Sequence, residues 1–339
     1  MMIRKAATIA MTVLLAAVTC SLALGQAPPP TTMVVDLENL VEYQGDIPDP
    51  SKFATTPNIT PSAGFRNFGV ATLLGDIVAV NGQPAKGTYA GRTRVIAVSS
   101  IPGSSALDEA IADVTRLAIR EHIFEILMSD STPVGTIVSL GFSGGPAPPG
   151  TPSAERGNWA IVGGTGAFLG ARGQVGGTGK AFGVGRAASM AEDPANRRTN
   201  GGGTSRFILH VIPMSVPQIV TTANGPAVTH SSDFTLVSAS KPAAAGEVLS
   251  LFATGLGPTI SGVDPGQPFP SSPLAAVNSP VEVTVNGKPS ELLAAVGFPG
   301  AVDAYQVNFR LPPDTAKGLA TIRVSAAWIA SMPVSIAVK

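Results

Sequence analysis

Apolar and polar residues alternate with a period of two along much of this chain, and glycine or proline breaks the alternation every few positions. That pattern predicts short, half-buried strands. Val70 to Val80 forms one such run and leads into Asn81-Gly82, from which Tyr89 to Val98 departs. Asn-Gly suits a tight hairpin turn, because both residues tolerate positive φ. Thr136 to Phe142, Trp159 to Val162 and Arg206 to Ile212 read as further strands. Beyond them strands recur at 247–254, 281–285, 304–311, 319–326 and 333–338. There Val281, Val283 and Val285 alternate with Glu282 and Thr284, and Tyr305, Val307, Phe309 and Leu311 alternate with Gln306, Asn308 and Arg310. Asn286-Gly287 supplies a second tight turn.

One region departs from this pattern. Ser105 with Asp108 and Glu109 resembles a helix start, and Leu107, Ala110, Ile111, Val114 and Leu117 keep helical spacing. From Ile119 the period changes: His122, Phe124, Ile126 and Met128 fall on one side of a strand, and Glu121, Ile123, Glu125 and Leu127 on the other. The sequence therefore predicts a short helix over 105–117 running into a strand. Residues 144–157 form a Pro/Gly loop, 170–186 are glycine-rich, and 190–204 are polar.

The chain divides into four parts. Residues 1–25 read as a cleavable signal peptide: Arg4 and Lys5, an uncharged apolar stretch from Ala6 to Leu24, then small residues before Gln26. Residues 26–64 read as an extension and linker that opens on a flexible exit over 26–33. Residues 65–212 form a first domain and 213–339 a second, with Pro213 to Pro217 at the boundary. The single cysteine, Cys20, lies in the signal segment, so no disulfide or thiolate chemistry is expected of the mature chain.

Charge narrows the function. The 22 basic and 22 acidic residues cancel, so neither a nucleic-acid partner nor an anionic-lipid surface is expected. After the signal segment no stretch is long and apolar enough to be expected to span a membrane as a helix. The three histidines lie far apart, so no metal site is expected, and nothing calls for a cofactor. Oxygen-only Ca²⁺ binding through Asp264 or Asp303 lacks the dense acidic loop of an EF-hand.

Two motifs imitate catalytic ones. Gly141-Phe142-Ser143-Gly144-Gly145 has hydrolase-nucleophile spacing, but Pro146-Ala147-Pro148-Pro149 follows where a helix is required. Trp159 to Gly170 resembles a strand entering a dinucleotide loop, but the glycines after Arg172 suit no helix. Glu121 and Glu125 are candidates for an acid/base pair, or else a solvated strand face. Aromatic residues are 5% of the chain and include two tryptophans, a composition that counts against sugar or single-strand stacking platforms.

Two stretches resemble known families. The run Gly157-Asn158-Trp159-Ala160-Ile161-Val162-Gly163-Gly164-Thr165-Gly166-Ala167-Phe168-Leu169-Gly170-Ala171-Arg172-Gly173 is similar to the signature of the dirigent and allene-oxide-cyclase-like barrels. That resemblance covers about residues 65–212. It implies an eight-stranded antiparallel, calycin-like barrel with an apolar cavity. Proteins of this kind position a bound intermediate without a reactive nucleophile. Arg172 matches the arginine of the signature.

Residues 214–339 resemble the C-terminal domain of many secreted acidobacterial proteins. The resemblance rests on Gly246 to Pro258, Val281 to Gly287 and Tyr305 to Pro312. It implies an immunoglobulin-like β-sandwich, and implies no known activity.

The expectation is a mainly β, exported binding protein. Its barrel would hold a small apolar ligand, and its sandwich would attach it to a cell-surface or matrix component. The alternatives are a cyclase- or isomerase-like enzyme, with Glu121, Glu125 or Arg172 inside the cavity, and a structural envelope protein without a ligand.

Overall fold

The computed structural model describes residues 31–44, 70–98, 116–143, 156–182, 186–189, 193–213, 215–264 and 266–339. Its regular structure is β, with no α-helix among the described residues. Eight strands form the first unit: β1 (Thr31–Gln44), β2 (Val70–Val80), β3 (Lys86–Val98), β4 (Arg116–Leu127), β5 (Pro133–Ser143), β6 (Arg156–Gly164), β7 (Arg172–Phe182) and β8 (Gly203–Ile212). Each pairs antiparallel with the next from β2 to β8. β1 then pairs with β8 from Thr31↔Val211 to Leu40↔Gly203, and with β2 from Val35↔Val80 to Gln44↔Ala71. The sheet closes on itself as an eight-stranded barrel, which leaves the ring itself no free edge.

The Asn81-Gly82 turn joins β2 to a short return strand ahead of β3, with φ of 51° and 76°. Both values are positive, as the two-residue turn requires.

Two strands stand where the sequence reading named none. Thr31–Gln44, read as part of an exit and linker, is the strand that closes the barrel. Its inward set Met33, Val35 and Leu37 continues as Leu40 and Glu42 after a bulge at Glu38-Asn39, so no unbroken alternation marks it. β7 runs through the glycine-rich stretch. Gly173 permits this at φ 136°, where an added Cβ would stand 1.9 Å from the His210 carbonyl oxygen. The helix expected over 105–117 falls almost wholly outside the described residues, and Leu117 already belongs to β4.

The second unit has two antiparallel sheets beside a two-stranded hairpin over Thr221–Pro226. One contains β9 (Val228–His230), β10 (Val248–Thr254), β12 (Glu291–Gly297) and β13 (Ala304–Arg310). The other contains β11 (Val281–Val285), β14 (Gly318–Ala326) and β15 (Val334–Val338). Both sheets contribute to one apolar core, in which Leu249, Leu251, Val307 and Phe309 meet Val283, Ile322, Val324 and Ile336.

The two units touch at one end of the barrel. The turn after β14 places Ala327 and Trp328 against the barrel core. There the Trp328 indole N–H donates to Gln83 Oε1 at 3.2 Å, and Gln83 Nε2 donates to Glu282 at 2.9 Å. Asn278 Nδ2 donates to the Pro133 carbonyl at 2.9 Å.

Candidate site inside the barrel

Directly opposed residues of an antiparallel sheet share a face. The register therefore identifies what points inward. One row runs Leu73, Gly91, His122, Ser139 and Ile161, and the next runs Ala71, Thr93, Arg120, Gly141 and Trp159. A row below, towards the second unit, carries Tyr89, Phe124 and Ile137.

Aromatic rings fill the middle of the bore. Tyr89, Phe124 and Phe207 have centroids 5.2–5.3 Å apart, and His122 meets Trp159 edge-on at 4.4 Å. Below them Ile77, Ile126, Val134, Phe168 and Val211 are buried and continue the packed core. These side chains belong to one packed apolar core.

The rows above the aromatic layer are polar. The Tyr89 hydroxyl lies 2.7 Å from His122 Nδ1, and both residues are buried. Burial pushes the Tyr89 phenol well above its usual pKa, with the Arg120 charge opposing and that of Glu42 assisting. Burial, joined by the Arg120 charge, pulls His122 down to about 3. Both groups are neutral at physiological pH. A neutral phenol has one proton to donate, and His122 Nδ1 is the acceptor in reach. When the phenol donates to Nδ1, the imidazole is the Nε2–H tautomer. Its Nε2 is buried and has no partner.

Glycine makes this pair possible. Gly91 sits opposite His122, and a Cβ there would stand 2.6 Å from the Tyr89 hydroxyl oxygen. Gly141 similarly separates Arg120 from Trp159 with no side chain between them. The Arg120 guanidinium carbon lies 5.8 Å from the Trp159 ring centroid, within cation–π range. Arg120 Nε, Ser139 Oγ and Thr93 Oγ1 are also buried without hydrogen-bond partners. Four polar atoms on adjoining strands thus share the upper bore unsatisfied. In a folded protein such atoms are few, and each calls for an explanation.

The bulge in β1 adds an acid to this face. Asn39 takes φ 50° and shifts the inward set by one residue, so that Glu42 opposes inward Leu73. An ion cluster on the outer surface holds the bulge. The Asp76 carboxylate accepts from Asn39 Nδ2 at 2.9 Å, from Arg198 Nε and NH2 at 2.7 and 2.8 Å, and from Arg197 NH2. Burial alone would raise its pKa, but the hydrogen bonds from Arg198, Arg197 and Asn39 outweigh it and hold the carboxyl at about 2.

The residues singled out by sequence lie elsewhere. Glu121 and Glu125 alternate with inward His122 and Phe124, and so stand on the outer face of β4. Arg172 is exposed, and its NH1 donates to the carbonyls of Val162, Ala171 and Gly170 at 3.1, 2.9 and 3.4 Å. It braces the turn after β6. The structure does not bring these three together.

His210 faces outward and contacts Thr32 Oγ1 at 3.3 Å. His230 lies in the second unit, 2.5 Å from Glu247. Ser143 ends β5, and Gly144-Gly145 of its motif fall outside the described residues. Asp303 accepts from the Gly255 backbone N–H at 3.2 Å. No group of three or more metal-ligating side chains occurs among the described residues.

Tyr89, Arg120, Ser139 and Thr93 carried no motif that marks them in sequence. The alternation did place His122 with Phe124 and Ile126 on one side, which was the available clue.

Compared with family models, curated proteins and solved structures, the chain matches none.

Proposed function

We propose that the barrel binds a small molecule with an apolar body and an oxygen-bearing head, and that the chain is an exported binding protein. The observation that carries this reading is the set of buried, unpartnered polar atoms above the aromatic layer: His122 Nε2, Arg120 Nε, Ser139 Oγ and Thr93 Oγ1. The first two are N–H donors, and the two hydroxyls can donate as well. Burying such groups unsatisfied costs roughly 1–3 kcal/mol each. A ligand oxygen accepting from them would recover that cost. The aromatic faces of Tyr89 and Phe207 beneath it, and of Trp159 in the row of Arg120, supply apolar contact.

The second unit fits a presentation or attachment module of immunoglobulin-like form, and residues 1–25 fit an export signal. A cyclase- or isomerase-like activity is the second reading. It is favoured by the Tyr89–His122 pair, because a neutral imidazole fixed as an N–H donor can polarise a carbonyl.

Native mass spectrometry of the intact chain from its own source tests the proposal. An added mass is expected. The Arg120→Gln/Ser139→Ala double variant should lose it while keeping the β-sheet circular dichroism of the parent. A bare mass, together with no binding to a panel of apolar ketones, acids and alcohols, refutes the reading.

A further inference from the structure

A second recess lies where the units meet. It is a half-open groove of about 310 Å³, lined by Asn81 and Gln83 of the barrel and by Glu282, Thr284, Arg323, Ser325, Trp328 and Ala330 of the second unit. Small-ligand pockets begin at roughly 300 Å³. Glu282 with Ser325 and Thr284 with Arg323 are directly opposed pairs, so all four stand on the outward face of the sheet formed by β11 and β14. The Asn81-Gly82 hairpin of the barrel forms the facing wall.

The chemistry of this lining is specific in kind. The Gln83 amide is engaged with Trp328 and Glu282, and the Asn81 Oδ1 accepts from the Val34 N–H; the rest of the lining adds the Glu282 carboxylate as an acceptor, the Arg323 donor fork and the Thr284 and Ser325 hydroxyls. One acid and one base leave no net charge to select an ion. A lining of interspersed donors and acceptors matches a partner whose neighbouring groups each donate and accept, which is the character of sugar hydroxyls. Trp328 adds an apolar wall suited to the C–H face of a sugar ring.

The backbone is strained in order to put that ring there. Ala327 and Trp328 form the two-residue turn between Ala326 and Ile329, with φ of 48° and 64°. Such turns ordinarily use Asn and Gly, and a bulky residue at positive φ is an outlier. Strain of this kind, of order 1–3 kcal/mol per residue, collects at ligand sites. The hydrogen bond to Gln83 then orients the indole.

We propose that this inter-unit cleft binds a neutral saccharide. The proposal runs against the expectation drawn from the low aromatic content, and rests on one of the two tryptophans lining a polar cleft. It is independent of the site inside the barrel.

The experiment applies the intact chain to an array of immobilised neutral, amino and acidic oligosaccharides. Soluble forms of the hits are then titrated while tryptophan emission is followed. Binding to neutral glycans with a saturable emission change is expected. Arg323→Ala and Glu282→Gln, on the open face of the sheet, should each weaken binding at least tenfold with the thermal transition kept. Arg120→Gln in the barrel should leave binding unchanged. Absence of binding, a signal confined to acidic glycans, or affinity retained by both cleft variants overturns the proposal.

Discussion

Replacing Asp76 by Asn tests the clamp that fixes the β1 bulge. The substitution preserves shape and keeps one carbonyl acceptor, but removes the charge that holds Arg197 and Arg198. Asp76 lies at about pKa 2 against an ordinary 3.8, because the hydrogen bonds from Arg198, Arg197 and Asn39 overcome the cost of its burial. At about 1.36 kcal/mol per pKa unit, the ionised form contributes about 2.4 kcal/mol to the fold. Its side chain and that of Arg197 are only 12% and 13% exposed, but Arg198, whose hydrogen bond lowers the carboxyl most, is 65% exposed, so solvent screening reduces this contribution. Asp76→Asn should therefore lower stability at pH 7 by about 1–2 kcal/mol, or roughly 3–6 °C in the midpoint of a unit of this size.

The pH dependence follows from the same pair of values. A depressed carboxylate stabilises fully above its unfolded pKa of about 3.8 and loses that contribution as pH falls through about 2. Parent and variant should thus differ at neutral pH and converge between about pH 4 and pH 2. Scanning calorimetry and urea titration at a series of pH values read both quantities. A variant within about 0.5 kcal/mol of the parent at pH 7, the ordinary range for surface changes, would refute the clamp.

Three further outcomes follow. Gly91→Ala should cost about 2–4 kcal/mol in urea unfolding, because its Cβ displaces the Tyr89 hydroxyl from His122, and Tyr89→Phe added to it should recover part of the loss. Arg172→Ala should lower stability by about 1 kcal/mol through the lost turn hydrogen bonds, and should leave any ligand mass in native spectra unchanged. Gly173→Ala should abolish soluble folded protein on size-exclusion chromatography, since its Cβ meets the His210 carbonyl at 1.9 Å. Gly82→Ala, also at positive φ but in open space, should cost only about 1 kcal/mol.

Much of the fold was legible because strand period is a local property. Val70–Val80, Arg206–Ile212 and the strands after residue 245 showed their alternation directly, and both Asn-Gly turns announced themselves. β1 was hidden because the bulge at Asn39 breaks its period. β7 was hidden because glycines that serve close backbone approach look the same in sequence as glycines of a loop.

The site was less legible for a different reason. Alternation separates the two faces of β4 but does not say which one the closed sheet turns inward. Carboxylates drew attention to Glu121 and Glu125, yet barrel closure buries the face of Arg120 and His122. Trp328 gave no signal, since Ala-Trp is not a recognised turn pair and its role depends on a residue 245 positions earlier.

The pairing of the first described strand with the last strand of the ring also bears on how the barrel is made. Thr31 meets Val211, so the ring cannot shut until nearly the whole domain has been synthesised. Closing so long a loop is entropically costly, and topologies of high contact order fold slowly. Until β1 docks, β2 and β8 both present open edges, which recruit other strands. A 14-residue segment thus acts as the latch of the domain. Supplied as a separate peptide to a chain beginning at β2, it should complete the barrel in trans, making the domain a natural candidate for split-protein complementation.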